Sequence, residues 1–194
     1  MSFFTGTTKF SNTSAIPAVD DGRKITKEAA VALLHNHDFF LKAEPHYVSH
    51  RAVPADNNNN DNDGETAAVR EAYDLPPDLE PLGKPKVKLY EVIDHVPNPV
   101  WSSSVVSNEE FVDLRDGLWV RIRSPLAVVM ETRWTVRERE ADGEEGGLEL
   151  VEDVEINCSK LLMGIVKSQV DNNWKGIHDN FIRQLLEDVK KGAE

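Results

Sequence analysis

The 194-residue sequence holds one cysteine, Cys158. An internal disulfide is thereby excluded, and a reducing compartment is expected. No apolar run approaches the roughly 20 residues that span a bilayer, so stable membrane insertion is not expected. The first ten residues lack the charged stretch and following apolar stretch of a secretory signal. Together these absences set a cytoplasmic location as the expectation. Basic charge is scarce: 22 Lys and Arg stand against 34 Asp and Glu, for a net charge of −12. No run of Lys or Arg offers the positive patch that nucleic-acid binding requires. A Gly-x-Ser-x-Gly elbow, a phosphate loop and a dinucleotide fingerprint are also missing.

Six histidines are present, and their spacing argues against a metal set. His35 and His37 point about 200° apart on a helix, so they do not make a helical metal pair. His46 and His50 share a face of a strand but stand far apart, and His95 and His178 are isolated. Neither a metal nor another cofactor is expected.

The acidity is local. Between residues 55 and 80, eight acidic side chains against Arg70 carry −7 of the net charge. The wider stretch 54–84 also contains Asn57-Asn58-Asn59-Asn60, Pro76-Pro77 and Pro81. It has too few apolar groups to offset its ordering entropy. It reads as an acidic, disordered insertion within one domain covering 1–194, with disorder from Asp56 to about Glu65 and a helical turn over 67–72. A passive insertion and a partner-binding peptide both fit this composition.

The remainder alternates as a globular chain does. Residues 3–16 suit an extended strand, and Thr26 suits the N-cap of a short helix running to His37. A second helical turn over 38–42 and a strand over 46–53 follow. Strand patterns then dominate from Pro85. Asp116-Gly117, between two alternating runs, is the strongest hairpin signal. Ser124-Pro125 separates the next two strands, and a last strand covers 148–157. From Ser159 to Lys190, apolar residues recur at three- and four-residue steps, predicting one helix about 45 Å long.

This order predicts an α+β fold: a twisted antiparallel sheet wrapped around a long C-terminal helix, with two short helices after the first strand. It resembles the helix-grip fold of the START-like superfamily, also called SRPBCC, of lipid-transfer, hormone-receptor and polyketide cyclase proteins. More narrowly, the chain resembles a family of small fungal proteins of unknown function within it. The resembling pieces are Ile25-Thr26-Lys27-Glu28-Ala29 leading to Leu33-Leu34-His35-Asn36-His37, then Tyr90-Glu91-Val92-Ile93-Asp94 and Gly117-Leu118. They continue with Arg133-Trp134-Thr135-Val136 and with Leu150-Val151-Glu152-Asp153-Val154-Glu155 running into Cys158. The resemblance implies a fold and an internal cavity, and no particular reaction.

Period-two patterning picks out candidate site residues. In the last strand Leu148, Leu150, Glu152, Val154, Ile156 and Cys158 share one side, which makes Glu152 the odd member of an apolar row. Desolvation raises the pKa of such a carboxyl, so Glu152 is the candidate acid/base or ligand anchor. A structural ion pair is the alternative. Tyr90 and Arg121 are the candidate assistants in catalysis. Tyr90, Trp119, Met130, Trp134 and Trp174, with Glu152, are candidate ligand contacts, because flat apolar walls with few polar handles suit a hydrophobic guest. Core filling is the alternative for each tryptophan. Three functions remain open: a carrier for a lipid, sterol or polyketide-like metabolite; a cyclase, isomerase or dehydratase in the same cavity; and an interaction module acting through the acidic loop.

Overall fold

The computed structural model describes residues 4–19, 23–54, 65–96, 103–139 and 147–191. In chain order the elements are β1 (Thr5–Ile16), α1 (Lys27–Leu34), α2 (His37–Lys42), β2 (Tyr47–Val53), α3 (Glu65–Ala72) and β3 (Lys88–Val96). There follow β4 (Ser103–Asp113), β5 (Gly117–Ser124), β6 (Val128–Glu138), β7 (Leu148–Ser159) and α4 (Lys160–Lys191). The strands form one open sheet in the order β1-β7-β6-β5-β4-β3-β2, with neighbours antiparallel. The α+β architecture is the expected one, and the sheet with its long C-terminal helix agrees with a helix grip.

Local chemistry explains the two helices that follow β1. The Thr26 side chain accepts from the Ala29 N–H at 3.1 Å and opens α1. The helix ends at Leu34, before the expected His37, because Asn36 caps a new one. Its side chain accepts from the Phe39 N–H at 3.2 Å. Two short helices with separate caps then turn Leu33, Leu34, His37 and Leu41 inward.

The hairpin expected at Asp116-Gly117 is present, for a different reason. Gly117 does not adopt positive φ. A Cβ placed there would lie 1.7 Å from the Trp134 carbonyl oxygen. Glycine is required so that β5 can approach β6 at its first residue. The strained turn is the next one, where Leu126 (φ 62°) and Ala127 (φ 57°) are left-handed without being glycine.

The sheet has two covered faces. On the inner face Phe111, Leu118, Trp134, Val136 and Leu150 meet Phe181 and Leu185 of α4 and the buried residues of α1 and α2. A smaller group, Val154, Ile156 and Cys158, receives Leu162, Met163 and Val166 from the first half of α4. On the outer face Leu75 and Leu79 pack with Val112, Leu114 and Trp119. Leu75 and Leu79 thus bring part of the 54–84 stretch against this face. Residues 55–64 lie outside the described residues, α3 occupies the expected helical turn, and the segment after it closes the outer face. Arg70 secures that segment by donating to the Pro76 and Leu79 carbonyls at 3.2 and 2.8 Å.

Candidate functional site

Between the first half of α4 and the inner sheet face lies a cavity of about 520 Å³. Its walls are mainly apolar: Val92, Val120, Ile122, Met130 and Trp134 from the sheet, and Leu162, Val166, Val170, Trp174 and Ile177 from α4. Volume and lining fall in the range of small-molecule sites. Leu126 and Ile165 also line it and are 75% and 60% exposed. The mouth therefore lies between the β5–β6 turn and α4.

Glu152 is where its alternation puts it. It is 3% exposed, lines the cavity, and accepts from Asn12 Nδ2 at 2.9 Å across the β1–β7 pairing. Burial pushes its pKa up to about 7, opposed by the Asn12 hydrogen bond. His178 Nε2 stands 3.8 Å from its Oε2. His178 Nδ1 meets the Ser14 hydroxyl at 2.8 Å, and burial lowers this imidazole to about 4. Met130, Trp134 and Trp174 also reach the cavity. Trp134 satisfies its indole N–H on Thr132 Oγ1 at 3.0 Å and turns its ring inward against Phe40.

Trp119 and Arg121 do not reach it. Successive residues of β5 point to opposite faces, so Val120 and Ile122 take the inner side while Trp119 and Arg121 take the outer one. Arg121 is buried beneath the 65–82 segment. It donates to Glu131 at 2.8 Å, to Glu110 at 3.1 Å, and to the carbonyls of Tyr73 and Asp74 at 2.6 and 2.8 Å. Its guanidinium lies over the Trp119 ring at 4.8 Å. These two residues bind the covering segment to the sheet.

Tyr90 faces inward but stands outside the cavity lining, in a hydrogen-bonded chain with two residues that the sequence pattern did not mark. His37 Nδ1 meets the Tyr90 hydroxyl at 3.0 Å, and His37 Nε2 meets Asp113 Oδ1 at 2.7 Å. Lys88 Nζ meets the other Asp113 oxygen at 3.1 Å. Burial by itself raises the Asp113 pKa, but the His37 and Lys88 contacts outweigh it and hold the carboxyl down at about 2. The chain ties α2 to β3 and β4. Tyr90 has neither Glu152 nor Arg121 as a partner, so the expected catalytic trio is not assembled.

Three further carboxyls line the cavity instead. Glu109 is 6% exposed, and Ser107 Oγ donates to its Oε1 at 3.1 Å. Burial, reinforced by Asp94, pushes its pKa up to about 8. Asp94 is raised to about 6 by burial, and its Oδ1 is buried with no hydrogen-bond partner among the described residues. Glu44, in the turn after α2, is raised to about 7 by burial and by the neighbouring Asp94. The turn is clamped to α4: Asn173 Nδ2 donates to Glu44 Oε1 at 3.1 Å and Asn180 Nδ2 to the Ala43 carbonyl at 2.8 Å. Gly176 is essential to this approach, since a Cβ there would lie 2.9 Å from Pro45 Cγ.

Period two was the signal available for Glu109. Val105, Ser107, Glu109 and Phe111 occupy one side of β4. Asp94 follows Tyr90 and Val92 on β3 by the same rule. Glu44 has no such signal, because it lies in a turn.

Among the described residues, no group of three or more His, Cys, Asp or Glu side chains is arranged to hold a metal ion. No helix among them is long and apolar enough to cross a membrane. The sequence model of a family described as a domain of unknown function (DUF7053) matches residues 5–187. No curated protein matches the chain.

Proposed function

We propose that this chain, which belongs to the DUF7053 family, binds a hydrophobic small molecule in the cavity between α4 and the sheet. One observation carries the reading: an apolar-walled space of about 520 Å³ that opens between Leu126 and Ile165. A space lined by valine, isoleucine, methionine and tryptophan gains little from water and much from an apolar guest. A START-like ancestry belongs to the same proposal and rests on the motif resemblance and the helix-grip arrangement. A cytoplasmic location is also proposed, resting on the single unpaired Cys158, which is buried.

The test is native mass spectrometry of freshly purified protein, joined to titration with a polarity-sensitive apolar dye. Saturable dye binding is expected, lost in Val170→Trp and Met130→Trp with circular dichroism unchanged. Dye binding that both fillings leave intact overturns the reading.

A second reading, proton-transfer catalysis in the same cavity, is supported by Glu109 and Glu152. Their carboxyls are pushed to about 8 and about 7, where an acid holds and releases a proton near neutral pH. In this form Glu109 takes the assisting role expected of Tyr90 and Arg121. The interaction-module reading has no observation in its favour, since 55–64 lie outside the described residues.

A further inference from the structure

The apolar cavity has an unusual polar inventory. Glu44, Asp94, Glu109 and Glu152 line it, from the turn after α2 and from β3, β4 and β7. Among the described residues, neither Lys nor Arg lines it, and the His46 imidazole is the only basic side chain there. The protein spends its arginines elsewhere: Arg121 and Arg123 both pair with Glu110 on the outer face of the same sheet. The inner and outer rows of β4 thus receive opposite treatment. Glu110 has two guanidiniums, while its neighbour Glu109, 94% buried, has a single hydroxyl donor.

The hydrogen bonds already present point the same way. The carboxyls of Glu152 and Glu44 accept from the amides of Asn12 and Asn173, and that of Glu109 from the Ser107 hydroxyl. Donors of this kind support a carboxylate rather than a protonated acid. Among the described residues each of these carboxyls thus has neutral donors and neither a Lys nor an Arg partner. Among the described residues the buried Oδ1 of Asp94 has not even a neutral donor. Ionising buried carboxyls in this state costs free energy that either a proton or a bound cation offsets.

We propose that the cavity's ligand is a cationic amphiphile, an apolar body carrying a positively charged nitrogen that sits among Glu44, Asp94, Glu109 and Glu152. The proposal rests on the cavity-binding reading and names the chemical class of its guest. An organic cation fits better than a bare metal ion. The carboxyls come from four separated elements around an apolar space, and no described group of ligands converges on one point. Trp134 and Trp174, also in the lining, offer aromatic faces that attract an alkylammonium.

The test compares three probes with one tail: decyltrimethylammonium, decanol and decanoate, each below its micelle threshold, displacing the apolar dye from the full chain. The ammonium is expected to bind about tenfold or more tighter than the alcohol, as charge-assisted contact in a desolvated site predicts, and decanoate weakest. Glu109→Gln and Glu44→Gln, each checked by circular dichroism, should narrow the preference for the ammonium over decanol.

Ammonium affinity should rise from about pH 5 to about pH 8, because the probe's charge is permanent and the carboxyls ionise over that range. The groups that face the site are the four carboxyls, His46 in the turn after α2, and His178 of α4 beside Glu152. His178, lowered to about 4 by burial, is neutral throughout this interval and does not oppose the trend. Equal or tighter binding of decanol or decanoate overturns the cationic assignment and leaves the cavity reading standing. Saturable binding by none of the three overturns the cavity reading and the assignment with it.

Discussion

Glu152 and His178 face each other in the interior, with Oε2 and Nε2 3.8 Å apart, and burial moves their pKa values in opposite directions. Glu152 rises from 4.5 to about 7, so between these values the folded chain holds a proton that the unfolded chain has released. Its contribution to stability is therefore present below pH 4.5 and lost as pH rises to about 7. His178 falls from 6.5 to about 4, so its contribution grows with pH over that window. Glu44, Asp94 and Glu109 are raised like Glu152, and the four carboxyls outweigh the one imidazole.

Thermal stability of the ligand-free protein is accordingly expected to peak at mildly acidic pH and to decline toward about pH 8. Glu152→Gln should flatten this decline and raise the melting temperature at about pH 8, with little effect at about pH 5. Scanning calorimetry across pH checks both. A melting temperature that climbs steadily from acid to alkaline pH contradicts the carboxyl assignments.

Arg121→Ala is expected to destabilise the fold by about 3 kcal/mol or more, because it removes one of the two guanidiniums on the buried Glu110 carboxylate and the donors to two backbone carbonyls. Dye affinity at the cavity should stay within about twofold of wild type, since the side chain lies on the opposite face of the sheet. Urea unfolding and dye titration report the two effects separately. Loss of dye affinity in a still-folded variant would connect Arg121 to the site.

Two glycines should answer in opposite senses. Gly117→Ala places a methyl 1.7 Å from the Trp134 carbonyl, a backbone atom that cannot yield without shifting β6. A loss of about 3 kcal/mol or more is expected. Gly164→Ala meets nothing within 4 Å and removes helix-interior backbone freedom from α4. A gain of roughly 0.5–1 kcal/mol is expected. Chemical denaturation of both variants in parallel is sufficient.

His37→Leu keeps the size of a buried side chain but deprives Asp113 and Tyr90 of a partner at once. The expected cost is about 2 kcal/mol or more at neutral pH. Asp113 is depressed to about 2 from 3.8, so its pairing is fully present above pH 3.8 and lost as pH falls through about 2. The gap between wild type and His37→Leu should therefore narrow in acid over that window. An unchanged gap at low pH would place the cost in packing alone.

Much of the fold was legible because it is written in local periodicity. The three- and four-residue repeat of α4 required no tertiary knowledge, and neither did the inward row of β7. What escaped depended on which pieces meet. The two short helices were legible, and only the boundary between them, set by the Asn36 cap ahead of the expected His37, was not. The role of residues 65–82 escaped because composition reports the entropy a segment must lose and not the apolar face it covers. Leu75 and Leu79 find Trp119 across some forty residues of chain.

The candidate site divides along the same line. Alternation by itself determined that Glu152 lies inward with Met130 and Trp134, because the side-chain period of a strand is a property of the local backbone. It also put Trp119 and Arg121 on the face opposite Val120 and Ile122, although residue type had favoured them as site residues. Only the tertiary structure decided that the inner face stands off from the first half of α4, leaving a cavity, and that Glu44, Asp94 and Glu109 join Glu152 there. Their shared environment is a matter of desolvation and mutual repulsion among groups brought together from a turn and three strands, and no local pattern encodes those distances.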